Sequence, residues 1–168
     1  SDKLILFAKL FQCKVDHFFR PFTVDLGEIN FRKKASFSQK KIISLKEEIK
    51  INLENYLFIE ESLSINPEFD NPIQKLAINK LGDIKKGVEK IRKAWDIGSD
   101  PIHNVIQLLE DQEIKIIELK EVDAQFDGLA TFVNEKYPII VINGDFPVER
   151  KRFTILHELG HLLLNLPD

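Results

Sequence analysis

Apolar residues in the first half of the chain recur with the spacing of amphipathic helices. The run that begins at Leu4 predicts a short opening helix. A longer helix is predicted from the capping residue Ser38, because Lys and Glu side chains lie opposite a continuous apolar stripe that could pack within this chain or against a partner. The stripe consists of Ile42, Leu45, Ile49, Leu53 and Tyr56. A third helix is predicted over 72–98, which Gly82 could split, and a shorter one over 101–109.

The pattern changes in the second half, where apolar and polar residues alternate with the period of two that is typical of strands. The segments EIKIIELK, FDGLATFVN and YPIIVIN predict three strands, with a tight turn around NEKY. A final helix is predicted from Pro147 to Leu166, and the earlier segment TVDLGEINFRK predicts a short strand or hairpin. The fold class is therefore α+β, in which a helical N-terminal half precedes a small mixed or antiparallel sheet packed on the last helix.

The composition excludes several classes of protein. With 168 residues, 43% of them hydrophobic, the chain fits one ordinary domain or a small domain with an appendage. Its net charge of −3 gives no electrostatic reason to expect binding to nucleic acid or to an anionic membrane. The single cysteine, Cys13, cannot form an internal disulfide, and no apolar run reaches the roughly 18 residues of a membrane span. No signal peptide is recognisable, so we expect a cytoplasmic protein without a membrane partner.

The final predicted helix contains the sequence HELGH, an HExxH motif. Residues four apart lie one turn apart on the same helix face, so His157 and His161 can direct nitrogens at one metal ion. Imidazole is a common zinc ligand, and a tetrahedral ion held by three protein ligands keeps a position for water. Glu158 lies beside the pair rather than in line with it, which suits a general base acting on that water. The motif predicts zinc bound by His157 and His161, with Glu158 as the catalytic residue.

A third protein ligand is not evident from the spacing. Asp168 is the only acidic residue after the motif, and it lies too far along the chain to reach the same ion easily. Asp127, Asp145 or His103 could supply a ligand from upstream, but no spacing rule favours one of them. We expect that the third ligand is absent from this chain.

Three groups of residues carry a resemblance to a known family. They are Trp95 with Gly98, the Phe-Asp-Gly turn at 126–128 and the Arg-Phe-Thr sequence at 152–154 directly before the metal motif. With these motifs, the stretch 93–164 resembles the ImmA/IrrE family of zinc-dependent metallopeptidases. Upstream, LILFAKLFQCKVDHFFRP resembles the tail of an Xre-type helix-turn-helix domain, and INFRK resembles the linker that joins such a domain to the peptidase.

The resemblance implies a zincin-like fold and a division of the chain into three parts. Residues 1–20 would be the remnant of the helix-turn-helix domain, and 21–70 a linker with short strands and the long helix. Residues 71–168 would form the metallopeptidase domain, incomplete at its C-terminus. We therefore expect this chain to be a fragment of a longer protein. The family's third ligand is an acidic residue well beyond the motif, and we expect the chain to end before it.

Two functions follow from the resemblance. The first is a zinc endopeptidase that cleaves a protein substrate, by this resemblance a helix-turn-helix repressor. The second is a peptidase-like sensor or dimerisation module, without proteolysis, of a regulator that binds DNA through the missing N-terminal domain. A homodimer is left open in both cases.

Other reactive side chains have simpler interpretations. Cys13 and His17 lie in apolar surroundings without the spacing of a metal site, which favours a structural role. Arg150 and Thr154 lie on the helical stripe of the histidines, where they could orient substrate or serve packing and capping.

Overall fold

The computed structural model describes residues 2–11, 14, 15, 19, 24–26, 38–78 and 80–164. Five helices and three strands lie in this part of the chain. The helices are α1 (Asp2–Leu10), α2 (Gln39–Ser62), α3 (Leu81–Ala94), α4 (Val105–Glu110) and α5 (Val148–Leu164). The strands are β1 (Lys115–Leu119), β2 (Gly128–Val133) and β3 (Tyr137–Asn143). The predicted α+β fold is confirmed.

The sheet is mixed, with the strand order β1-β3-β2. The central strand β3 pairs in parallel with β1 and antiparallel with β2. The turn predicted around NEKY joins β2 to β3, and Asn134 and Glu135 adopt positive φ in it. Because β2 has β3 on one side only, it is an edge strand of the three-stranded sheet.

Each face of the sheet packs on helices, because successive side chains of β3 point to opposite faces. Ile139 and Val141 belong to the core that α2 covers. Ile140 and Ile142 belong to the core that α4 and α5 cover. The predicted stripe of α2 therefore packs on this chain's own sheet, with Leu45, Ile49 and Leu53 buried. The division into residues 1–20, 21–70 and 71–168 stays a prediction.

Three predicted elements differ from the structure. The short helix expected from Pro101 begins only at Val105. The third helix was expected from residue 72 but begins only at Leu81, since 72–75 form a turn. The side chain of Asn71 explains the turn: its Oδ1 accepts the Ile73 N–H at 3.0 Å, and its Nδ2 donates to the carbonyl of Leu163 at 2.8 Å. That second bond fastens the segment to the last turn of α5.

The predicted strand in TVDLGEINFRK is described only at 24–26, which is not part of a strand. The other residues of that segment, like Cys13, His17 and 165–168, lie outside the described residues. No helix in the described part of the chain is both long enough and apolar enough to cross a membrane.

Candidate metal centre

The helix α5 carries all three predicted site residues and is anchored by its buried side. Ile155, Leu159 and Leu162 pack into the core shared with β3 and α4. The periodicity of these apolar positions turns the intervening residues toward the edge of the sheet and toward solvent. His157 is exposed, and His161 is half-buried.

The two histidines converge on one point. Their Nε2 atoms are 3.2 Å apart, and the rings meet at 72° with centroids 4.8 Å apart. Two nitrogens that each bind a tetrahedral zinc ion at about 2.0–2.1 Å are about 3.3 Å apart. The spacing of His157 and His161 therefore fits two ligand positions of such an ion.

Glu158 lies on the sheet side of the histidine pair. It is 7% exposed and is packed against the beginning of β2. A Cβ added at Gly128 would lie 3.4 Å from Glu158 Cγ and only 2.8 Å from both Thr154 Cγ2 and the Val141 carbonyl oxygen. The absence of a side chain at Gly128 thus lets β2 approach α5 closely beside the acidic residue.

Within the described residues, the structure brings none of the upstream candidates for a third ligand into a group with the two histidines. Asp127 pairs with Arg150 at 2.6 Å, and Asp145 accepts the Glu121 N–H at 2.7 Å. His103 is exposed, and its carbonyl accepts a hydrogen bond from Arg152. No group of three His, Cys, Asp or Glu side chains within the described residues is arranged to hold a metal. Asp168 lies outside that part of the chain.

Arg150 and Thr154 have packing partners. Arg150 pairs with Asp127 and places its guanidinium 3.6 Å from the centroid of the Phe146 ring. Thr154 is buried against Gly128. Thr154 therefore has a packing role. Arg150 joins α5 to the turn before β2 through its ion pair with Asp127.

No strand in the described part of the chain pairs with the outer edge of β2, which lies beside α5. Phe132 pairs with Pro138, which has no N–H, so this is a non-hydrogen-bonded pair and the Phe132 amide groups point away from β3. The alternation along a strand gives Ala130 the same orientation. Within the described residues, neither Ala130 nor Phe132 has a hydrogen-bond partner on that outer edge.

The open edge ends where the N-terminal segment 24–26 meets the turn after β2. The Asn134 N–H donates to the Asp25 carbonyl at 3.3 Å, and the Asp25 N–H donates to Asn134 Oδ1 at 3.0 Å. On either side of Asp25, Val24 and Leu26 are buried in the core under α2. This segment closes the far end of the β2 edge.

Two arginines fix the loop that precedes α4. Arg92 donates to the carbonyls of Gly98 and Asp100. From α5, Arg152 donates to the carbonyls of Ile102 and His103. Gly98 and Arg152, noted in the sequence for their resemblance to a family, thus both take part in bonds that hold one loop, and Arg152 ties that loop to α5.

Residues 109–166 match the family model Peptidase_M78, whose description is IrrE N-terminal-like domain. This segment of the chain is similar to that family. The IrrE N-terminal-like segment contains all three strands, α5 and the HExxH motif. The expected ImmA/IrrE resemblance is confirmed over these residues, and the helix-turn-helix resemblance of residues 1–20 stays a prediction. No match was found among curated proteins or among solved structures.

Proposed function

We propose that this chain carries the catalytic helix of a zinc-dependent endopeptidase. The observation that supports the proposal most directly is the 3.2 Å separation of the His157 and His161 Nε2 atoms within a peptidase-family segment. Both imidazoles would be metal ligands, in their neutral form and through Nε2. The described residues provide these two donors, so a further donor completes the site from outside them.

The chemistry divides between the ion and Glu158. When bound, zinc supplies Lewis-acid activation of water and of the substrate carbonyl. Glu158 accepts the proton of the attacking water at its carboxylate and can deliver it to the departing amine. The Glu158 side chain is buried with its Cγ close to Gly128, at the beginning of β2.

The substrate we propose is an extended peptide segment. Main-chain groups of such a peptide can pair with the outward N–H and C=O groups of Ala130 and Phe132, which fixes its direction along α5. By the family resemblance, the protein that supplies the segment is a helix-turn-helix repressor. Pairing through the main chain requires a segment that is extended or can become so when it binds.

Metal analysis tests the first part of the proposal. The full-length protein should bind one zinc per chain, and His157→Ala should abolish this stoichiometry. His103→Ala is the matched control, because His103 is an exposed histidine whose side chain is not part of the pair. A full-length protein that binds no zinc would refute the metal centre.

Cleavage tests the second part. Glu158→Gln should retain zinc and lose hydrolysis of purified helix-turn-helix repressors, because the amide cannot accept the proton. Glu149→Gln, an exposed change in the first turn of the same helix, should cleave like the parent protein. Equal cleavage by the Glu158→Gln variant would exclude Glu158 as the base.

A second function is favoured by the number of ligands. Since the described residues supply only two donors, the segment could serve a transcription regulator as a sensor or dimerisation module without proteolysis. In that case the full-length protein binds a specific DNA sequence, and this binding is unchanged by Glu158→Gln. Absence of cleavage together with specific DNA binding would favour this second function over the first.

A further inference from the structure

Phe153 is an exposed aromatic residue directly beside the candidate metal centre. It lies four residues before His157 on α5, and 74% of its surface is exposed. The two rings are nearly parallel, with an interplanar angle of 16° and centroids 6.3 Å apart. Packing in the core therefore does not account for this phenyl ring, and the contact that the structure shows for it is with the imidazole of His157.

The His157 ring also contacts the His161 ring, with centroids 4.8 Å apart, so both neighbours bear on its orientation. Its Nε2 faces His161, and within the described residues no group forms a hydrogen bond with its Nδ1. In most metal sites that second nitrogen donates to a carboxylate or carbonyl, which fixes the plane of the ring. Here the phenyl ring of Phe153 is the surface against which the exposed imidazole lies.

We propose that Phe153 is a positioning residue that holds the His157 imidazole with Nε2 directed at the point shared with His161. The proposal rests on the proposed metal site and adds to it the residue that orders one ligand before the ion binds. Phe153 itself touches neither the ion nor the reacting atoms. A stacked aromatic pair of this kind can shift the equilibrium between ring orientations by about two- to tenfold. We therefore expect an effect of that size on metal affinity.

Cobalt(II), a spectroscopically visible substitute for zinc, is the probe. Titration of the full-length protein, followed by visible absorption, should show Kd raised about two- to tenfold in Phe153→Ala and in Phe153→Leu. Phe153→Tyr keeps the ring and should bind like the parent protein. Val148→Ala is the matched control, because it removes another exposed apolar side chain, 63% exposed, from the same helix. Phe153 is exposed, so we expect these variants to unfold in urea like the parent.

NMR of the metal-free protein provides a readout that does not depend on the ion. The His157 ring protons should carry a ring-current shift from Phe153, which disappears in Phe153→Ala together with the single ring orientation. Unchanged cobalt affinity in Phe153→Ala, or equal weakening in Val148→Ala, would overturn the proposal. If the parent protein binds no cobalt, the proposed metal site fails, while the metal-free spectra still decide whether Phe153 orients His157.

Discussion

The Nζ atom of Lys115 lies 2.8 Å from Oε1 of Glu60, and this ion pair joins β1 to α2 inside the protein. The Lys115 side chain is 1% exposed, and that of Glu60 is 12% exposed. The rings of Tyr56 and Tyr137 lie 4.9 and 5.5 Å from the same Nζ. The long helix is thus fixed to the sheet by a buried charge as well as by its apolar stripe.

Replacing one partner of the Lys115–Glu60 pair should lower the free energy of unfolding more than replacing both. Glu60→Leu leaves the Lys115 charge buried without its counter-ion, and we expect it to lower the free energy of unfolding by about 3 kcal/mol. Lys115→Met leaves the Glu60 carboxylate buried without its counter-ion, and we expect a similar loss of stability. The double variant Glu60→Leu/Lys115→Met removes both charges and should be closer to the parent than either single variant. Urea unfolding of the four proteins measures the coupling, and additive single effects would contradict the argument.

Gly128 should tolerate no side chain. Gly128→Ala places a Cβ 2.8 Å from both the Val141 carbonyl and Thr154 Cγ2, so β2 must move, at a cost of about 1–3 kcal/mol in stability. Gly160→Ala, in α5, is the control, because a Cβ there meets nothing within 4 Å. Alanine is the better helix former, so this control should gain up to about 1 kcal/mol. Thermal unfolding distinguishes them, and equal stability of the two variants would refute the close approach of β2 to α5.

Arg152 should be needed for its planar guanidinium and not only for its charge. It donates to two carbonyl groups of the loop before α4, and a lysine cannot reproduce that fork. We expect Arg152→Lys to lower the free energy of unfolding by about 1–2 kcal/mol and to accelerate amide exchange in that loop. The variant Lys93→Arg, on the exposed side of α3, is a control that leaves the loop unchanged. Parental exchange rates in Arg152→Lys would show that the loop does not depend on these bonds.

Asp123 should make stability depend on pH in the acid range. The hydrogen bond from Lys41 and that from the Gln125 N–H lower the pKa of this carboxyl group. Because the folded pKa lies below the unfolded one, the stabilisation is present above the unfolded pKa and is lost as pH falls through the folded value. In Asp123→Asn, the free energy of unfolding should fall less steeply below about pH 4 than in the parent protein, as measured by urea unfolding. The exposed Asp100→Asn is the control, and a curve with the parental slope in Asp123→Asn would contradict the assignment.

Periodicity in the sequence predicted the elements whose apolar faces pack within the chain. The stripe of α2 and the alternation of the strands are patterns of one short segment, and the structure confirms both. The placement of His157 and His161 on one face of the helix was predictable for the same reason, since it depends only on helix geometry. The late start of α3 was not, because it depends on a bond from Asn71 to a carbonyl 92 residues away in sequence.

Long-range contacts explain what the sequence could not predict about the site. Alternation alone places Lys115 on the buried face of β1 with Ile117 and Leu119, but it does not show that Glu60 is its partner. Gly128 was interpreted as a turn residue, and its role became visible only once α5 was known to lie against it. The position of a third metal ligand is likewise not predictable from the sequence, because it depends on which distant segments lie near the two histidines.

The open edge of β2 has a consequence for the behaviour of the protein in concentrated solution. Backbone groups that can pair with a peptide can also pair with the same edge of another molecule, which is a common route to aggregation. The exposure is small, because β2 is a strand of six residues and the contact of Asp25 with Asn134 covers the position after it. Loosening the segment 24–26 would expose more of the β2 edge to neighbouring molecules, so we infer that this segment protects the protein against aggregation.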